Sequence, residues 1–453
     1  MFKKVLVANR GEIACRVMRA CRELGVKSVA VYSQADEGSR HVAMADEAVC
    51  IGHGTNTESY LNLANVLMSA EVTGAEAIHP GFGYFSESAD FAEAVRSLGL
   101  KFIGPSPESI RGMGDKALAK AAAKGANVPV VGGSDGPVPN VQEALAVAEK
   151  IGYPVLLKAV AGGGGRGIRA VADPDELKKA FDIAQAEAQA SFGSDQLLVE
   201  KKVVRPRHIE VQVLGDEQGK LLHLFERECS IQNLRHQKIV EEAPSSCLSD
   251  KQRQQICEAA VRAAASVGYY NAGTVEFLCE ETGGFYFLEM NTRIQVEHPV
   301  TEEVTGIDLV QWQIRIAAGE SLPFDQGDIA HHGHAIEARI TAQDPDKDFA
   351  PSTGVVTVWQ PPGFRRVRLD SHVSAGFAVS PYYDPMLAKL IVYGDDRADA
   401  VRRLAVALDE FQIEGIATNL SFLRRLVAHP DYVSGNVDTG FVPRFLQESV
   451  VEV

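Results

Sequence analysis

No run in this 453-residue chain approaches the roughly 18 consecutive apolar residues that a membrane-spanning helix needs. Membrane is therefore excluded as a partner by this route. No Cys-x-x-Cys pair occurs among the seven cysteines, whose odd number and irregular spacing fit neither a disulfide framework nor a zinc site. A reducing, cytoplasmic setting is expected. Positive charge is in deficit: 45 Lys and Arg against 60 Asp and Glu leave a net charge of −15. That balance weighs against nucleic acid and anionic membrane as main partners, and any anionic ligand must be met by a local basic site. No G-x-G-x-x-G follows the first apolar run, which removes the dinucleotide fingerprint, and no G-K-[ST] follows a glycine loop, which removes the Walker pattern. No internal repeat and no low-complexity segment occur.

What is present begins with Val5 to Ala8 behind two lysines, a first strand rather than a signal peptide. A helical pattern from Ile13 to Leu24 follows, then short strand patterns at Ser28–Tyr32, Ala75–Ile78 and Phe102–Ile103. Strands separated by helices predict βαβ units and a parallel sheet. A helix from Lys116 to Lys124 leads to the turn-rich Gly132–Pro137, read as a hinge into a small inserted unit. That unit holds a strand ending at Lys158, the run Gly162-Gly163-Gly164-Gly165-Arg166-Gly167 and a helix from about Asp175 to Ala190. Longer, antiparallel strands are expected after Leu198-Val199-Glu200. A third region from His334 mixes strands at Val355–Trp359 and Lys389–Tyr393 with a helix at Asp399–Leu408. The length allows about three domains.

Three constellations carry chemistry. In the glycine run, backbone N–H groups are free to converge on an anion such as a phosphate, although four glycines alone read equally well as a flexible surface loop. Next, Gly273–Leu278 and Phe285–Asn291 read as strands joined by the turn Glu280-Glu281-Thr282-Gly283-Gly284. A turn centred between Thr282 and Gly283 sets Glu276 opposite Glu289. Two carboxylates across a ladder repel unless a cation lies between them, and oxygen ligands suit magnesium. Asn291, on the same face, completes the set. Third, an extended Asn291–Glu297 would align Asn291, Arg293, Gln295 and Glu297, placing a cation, an amide and a carboxylate in a row that suits a small oxyanion and a base. Solvated acids, or a plain Arg–Glu pair, are the simpler readings of each pattern alone. The stretches Gly112–Lys116 and Arg235–Lys238, the latter followed by Glu241-Glu242-Ala243-Pro244, are undecided by spacing and read equally as solvated charge runs.

Taken together, Asn9–Ala14, His79–Glu87, Met113–Lys116, the glycine loop, Glu289–His298 and Tyr382–Met386 resemble biotin carboxylase along essentially the whole chain. The resemblance implies an α/β and α+β multidomain fold: a Rossmann-like N-terminal domain (1–114), a central ATP-grasp domain (115–330) with a glycine-rich lid (131–203), and a mixed α/β C-terminal domain (331–447). It implies ATP contacts from Lys116, Lys158, Glu200, Lys201, His208, Gln232, His236 and Leu278, with Gly163, Gly164 and Gly165 over the phosphates. Glu276, Glu289 and Asn291 would hold magnesium or manganese. Lys238, Arg293, Gln295 and Val296 would hold bicarbonate, Glu297 would be the general base, and Arg339 would sit beside the biotin ureido group and stabilise its enolate. The implied reaction carboxylates biotin through carboxyphosphate, giving ADP and phosphate, as the first half-reaction of acetyl-CoA carboxylase or a related acyl-CoA or pyruvate carboxylase. Fatty-acid synthesis is the default setting.

Two departures from the family pattern stand out. Gln232-Asn233-Leu234-Arg235-His236-Gln237-Lys238 has one residue more and one arginine fewer, and Phe82 and Tyr84 exchange the usual order of tyrosine and phenylalanine. No Met-Lys-Met biotinylation site occurs, so a separate biotin carboxyl carrier protein and a carboxyltransferase are expected partners, the latter choosing the final acceptor. A homodimer is implied by the resemblance alone. The rivals are another ATP-grasp ligase, such as carbamoyl phosphate synthetase or a purine-pathway carboxylase, and a catalytically silent homologue. His79–Glu87 and Arg339 argue against the first, and the retained metal, base and enolate-stabilising residues against the second.

Overall fold

A computed structural model describes residues 1–160 and 167–451. Its first layer is a five-stranded parallel sheet in the order β3-β2-β1-β4-β5, built from β1 (Lys4–Val7), β2 (Lys27–Ser33), β3 (Glu47–Gly52), β4 (Ala77–His79) and β5 (Lys101–Phe102). Val5, Leu6 and Val7 are wholly buried because helices cover both faces, which is why the strand reads as one apolar run. Strand β3 escaped the sequence reading: half of its residues are exposed and only Ile51 is buried, so it lacks the apolar signal of its neighbours.

The inserted unit pairs β6 (Val155–Ala159) with β7 (Ile168–Val171) and β8 (Leu197–Lys201), all antiparallel, under the helix Pro174–Phe192. That helix starts where Asp173 accepts from two backbone N–H groups and Pro174 presets its first turn. The glycine run carrying Gly163, Gly164 and Gly165 lies outside the described residues.

A single antiparallel sheet of eight strands forms the body. It contains β9 (Arg207–Gly215), β10 (Leu221–Gln232), β11 (Lys238–Ala243), β12 (Asn271–Cys279), β13 (Phe285–Asn291) and β14 (His334–Thr341), continued by the strands Met386–Gly394 and Val367–Ser371, in the order β13-β12-β9-β10-β11-β14 and then those two. The ladder between β11 and β14 carries the sheet across the boundary expected at 330, so the second and third regions share one hydrogen-bonded surface. Two expectations are corrected. Val355–Trp359 is not one strand: Gly354–Val355 pairs with Ala378–Val379, and Val358–Gln360 pairs with Gln412–Glu414. Beyond Asn291 the chain bends instead of staying extended and enters the helix His298–Thr305, whose start is fixed by Pro299.

Candidate active site

Alternation builds the site. On β9, Ile209, Val211 and Val213 turn to the apolar core beneath the sheet, together with Val275 and Phe277 of β12. His208, Glu210 and Gln212 therefore share the opposite face with Thr274, Glu276 and Leu278. Across the next ladder Glu276 pairs with Glu289 and Thr274 with Asn291. Nearer the turn the pairing runs Phe277 to Phe287, so a one-residue bulge at this point brings the two acids into register.

Lys238, at the start of β11, is the hub of the cluster. Its Nζ lies 2.6 Å from Glu210 Oε2, 3.0 Å from Glu276 Oε1 and 2.7 Å from Glu297 Oε1. Glu276 Oε1 also accepts from Asn291 Nδ2 at 2.9 Å and Gln295 Nε2 at 3.0 Å. Arg293 donates to Asn291 Oδ1, to Gln295 Oε1 and to Glu87 Oε2, so the bent loop keeps these side chains together although the strand has ended. Glu297 stands at the N-terminus of its helix and meets Arg339 NH2 through Oε2 at 2.9 Å. Burial alone would raise the Glu297 carboxyl, but Lys238, Arg339 and Arg227 outweigh it and hold the group well below the usual carboxylate range. The same competition leaves Glu276 depressed, with Lys238 and His208 prevailing over burial. Glu289 moves the other way, raised by burial and by the charge of Glu276, with Lys116 opposing.

That asymmetry tests the metal set. The Glu289 carboxylate has no hydrogen-bond partner among the described residues, and its proton affinity rises because it is buried and a second carboxyl faces it. Glu276, Glu289 and Asn291 supply only oxygen ligands, as a hard divalent cation requires, and a cation between the acids would remove their repulsion. The residues fit magnesium.

The predicted nucleotide contacts are dispersed. Lys158 and Lys120 both pair with Glu200 on β8, while Lys201 Nζ donates to the carbonyls of Gly152 and Tyr153, 2.9 Å each. His208 faces Glu276 Oε2 at 3.1 Å and meets Gln232 Nε2 through Nδ1 at 3.2 Å. Leu278 is half-buried on the cleft face of β12, and Lys116 is exposed at the start of its helix. His236 is exposed in the turn between β10 and β11 with φ +59, a left-handed conformation. In that turn Asn233 Oδ1 accepts from the backbone N–H groups of Arg235 and Gln237, so the turn is closed by its own asparagine. Of the exchanged aromatics, Tyr84 stacks on Tyr60 at 5.2 Å and Phe82 packs beside the helix Gly11–Glu23.

Several functional-looking residues escaped the sequence. Arg227, wholly buried, donates to Glu210, Gln212, Thr301 and Thr274. Lys389, equally buried, donates to the Val296 carbonyl at 2.9 Å and lies 3.2 Å from Glu12 Oε2. Glu241 holds Arg339 from behind. The available signal was the polar alternation His208-x-Glu210-x-Gln212 inside a β-branched strand. Arg227 and Lys389 carry no comparable pattern.

Comparison with known proteins agrees along the chain. Residues 1–110 match the biotin carboxylase N-terminal domain, 115–324 the ATP-binding domain of the carbamoyl-phosphate synthase L chain, and 337–444 the biotin carboxylase C-terminal domain. A biotin carboxylase of Nostoc is 52% identical over 97% of this chain and 98% of its own length. The α subunit of a mitochondrial methylcrotonoyl-CoA carboxylase from rice is also 52% identical, over 98% of this chain and 60% of its own. The dimeric biotin carboxylase domain of a Hydrogenobacter thermophilus 2-oxoglutarate carboxylase, in complex with MgADP, ADP and bicarbonate, superposes with a TM-score of 0.91 at 50% identity, covering 98% of both chains.

Proposed function

The chain belongs to the biotin carboxylase family, and on that premise we propose how its own residues divide the work. It is an ATP-grasp ligase that uses ATP with magnesium, and bicarbonate, to carboxylate biotin, the first half-reaction of biotin-dependent carboxylases.

Glu297 is the base, and the observation that carries this role is the pair of cations converging on it from Lys238 and Arg339. A carboxylate so held has little appetite for a proton. Bicarbonate, by drawing Lys238 to its own oxygens beside Arg293, relieves Glu297 of part of that charge and returns its basicity when the proton is to be taken. Gln295 and the backbone at Val296, fixed from behind by Lys389, orient the anion. The bicarbonate oxygen then attacks the γ-phosphorus of ATP, which Lys116, Lys158, Glu200, Lys201, His208, Gln232, His236 and Leu278 position, and ADP leaves as the β–γ bridging bond breaks. Magnesium, held by Glu276, Glu289 and Asn291, supplies charge neutralisation at the phosphates. The resulting carboxyphosphate breaks to CO2 and phosphate, and phosphate accepts the ureido proton. Arg339 donates to the ureido oxygen as that oxygen gains negative charge, and the deprotonated ureido nitrogen attacks CO2 to give carboxybiotin.

The relatives of near-equal identity are named for different acyl and keto-acid substrates, which supports leaving the final acceptor to a carboxyltransferase. A biotin carboxyl carrier that presents the ureido group as acceptor of the carboxyl, a homodimer and a cytoplasmic location complete the proposal; every cysteine is free among the described residues. The three-part division at 114 and 330 belongs to the same reading. No helix among the described residues is long and apolar enough to cross a membrane.

The test is ATP cleavage by the purified chain with magnesium and bicarbonate, with and without free biotin. Biotin-stimulated phosphate release that requires bicarbonate and is lost in Glu297→Gln is expected. Release indifferent to biotin would transfer the chain to another ATP-grasp ligase activity.

A further inference from the structure

Arg339 has two acidic partners, and the chemistry above uses only one. Toward the cleft its NH2 meets Glu297; behind, Nε lies 2.6 Å and NH2 2.5 Å from a single oxygen, Glu241 Oε1. Glu241 is wholly buried, and its other oxygen has no partner among the described residues. Directly across the ladder from it stands Glu337, equally buried, with neither oxygen partnered. Glu337 precedes Arg339 by two residues on β14, so all three side chains project from one face.

Two opposed carboxylates out of contact with water do not both ionise. Arg339 gives its donors to Glu241 and none to Glu337, which assigns the charge to Glu241 and the proton to Glu337. Burial raises both acids: Glu241 to about 7 against the pull of Arg339, and Glu337, with Glu241 and Glu297 adding to it, well above the carboxylate range despite Lys389 and Arg339. The geometry of the Arg339 donors therefore decides which of the two keeps the charge.

We propose that Glu241 is the positioning residue for Arg339: its single charge, kept by a proton resting on Glu337, pins the Nε edge of the guanidinium to β11. The NH1 group, which has no partner among the described residues, and the outer side of NH2 are then left for the negative charge that develops on the ureido oxygen. A guanidinium without the rear anchor keeps its NH2 contact with Glu297 but is free to turn about it, and the orientation needed by biotin is lost. This inference rests on the assignment of Arg339 to biotin made above.

The experiment compares Glu241→Gln, Glu241→Asp and Arg339→Lys in the full chain with ATP, magnesium, bicarbonate and free biotin, following thermal unfolding in parallel. Glu241→Gln is expected to lose about 30-fold of the biotin-stimulated rate, while the biotin-free rate and the KM values for ATP and bicarbonate shift by about twofold. Glu241→Asp, which keeps the charge one methylene further away, recovers part of the loss. If the Gln variant does not fold, the Asp variant carries the test: a loss confined to the biotin-stimulated rate supports the proposal. Equal loss of both rates, or no loss in either, overturns it. Lost stimulation in Arg339→Lys with intact stimulation in Glu241→Gln overturns the positioning role alone. Undiminished stimulation in Arg339→Lys overturns the assignment of Arg339 and this role with it.

Discussion

The two ends of the cleft are held together by different physics. At the nucleotide end, Lys158, Lys120 and Glu200 form a triad whose side chains keep 26, 33 and 15% of their surface exposed. At the bicarbonate end, Glu210, Arg227, Glu297 and Lys389 keep none. Exposed pairs gain little over hydration and exchange partners readily, whereas a buried charge that loses its partner is costly. The first arrangement suits groups that must admit and release a nucleotide. The second suits groups that must already be in place when a short-lived intermediate forms.

The largest test of that contrast is Glu297→Gln. The amide preserves shape and removes the proton acceptor, so biotin-dependent ATP cleavage should fall about 1,000-fold with circular dichroism unchanged. A loss below about tenfold would make the buried cluster scaffolding and move the base elsewhere.

Lys389→Met comes next. It strips the Val296 carbonyl of its donor and leaves Glu12 without a counter-charge, so urea unfolding should show a loss of about 3 kcal/mol. The partner acid gives a pH signature. Burial raises Glu12 from 4.5 to about 7, more than Lys389 lowers it. A raised acid contributes stability that is whole below its unfolded pKa and is lost as pH climbs through the folded one. The wild-type chain should therefore lose up to about 3 kcal/mol relative to Glu12→Gln between pH 4.5 and 7. A difference that stays flat across this window in paired urea titrations would mean that Glu12 is ionised throughout.

Lys158→Ala probes the opposite end. Stability should drop by less than about 1 kcal/mol, because the pair is partly in water, while KM for ATP rises about tenfold with kcat changed less. A destabilisation as large as that of Lys389→Met would erase the distinction between the two ends.

The same distinction explains what the sequence disclosed. Glu276, Glu289, Asn291, Arg293, Gln295 and Glu297 were legible because one hairpin and the loop after it bring them together, and local alternation identifies such neighbours. The bulge that sets the register of the acids was not legible, nor was the bend after Asn291, since both depend on what packs against them. The roles of Glu12, Glu241, Glu337 and Lys389 were not legible for a different reason: their partners come from distant strands or from another layer. A lone charge in a β-branched strand reads as a solvent-facing residue until its cross-strand neighbour is known. The parallel sheet was readable from strand–helix alternation, whereas the eight-stranded sheet depends on β11 meeting β14, a pairing with no local signature.

The smallest expected effect lies in the turn between β10 and β11, where the sequence is expected to depart from the family pattern. Leu234 is exposed at the tip, while Asn233 ties the turn together through the N–H groups of Arg235 and Gln237. If this exposed end tolerates change as Lys158 and Glu200 are argued to, Leu234→Ser should alter stability by less than about 0.5 kcal/mol and leave KM for ATP within twofold. Asn233→Ala frees the segment that carries His236 and should raise KM for ATP about threefold with kcat preserved. Isothermal titration of an ATP analogue against both variants reads the two effects without turnover. Equal affinities for Leu234→Ser and Asn233→Ala would show that the turn's internal hydrogen bonds do not position His236, and that the departure is accommodated without consequence for the nucleotide.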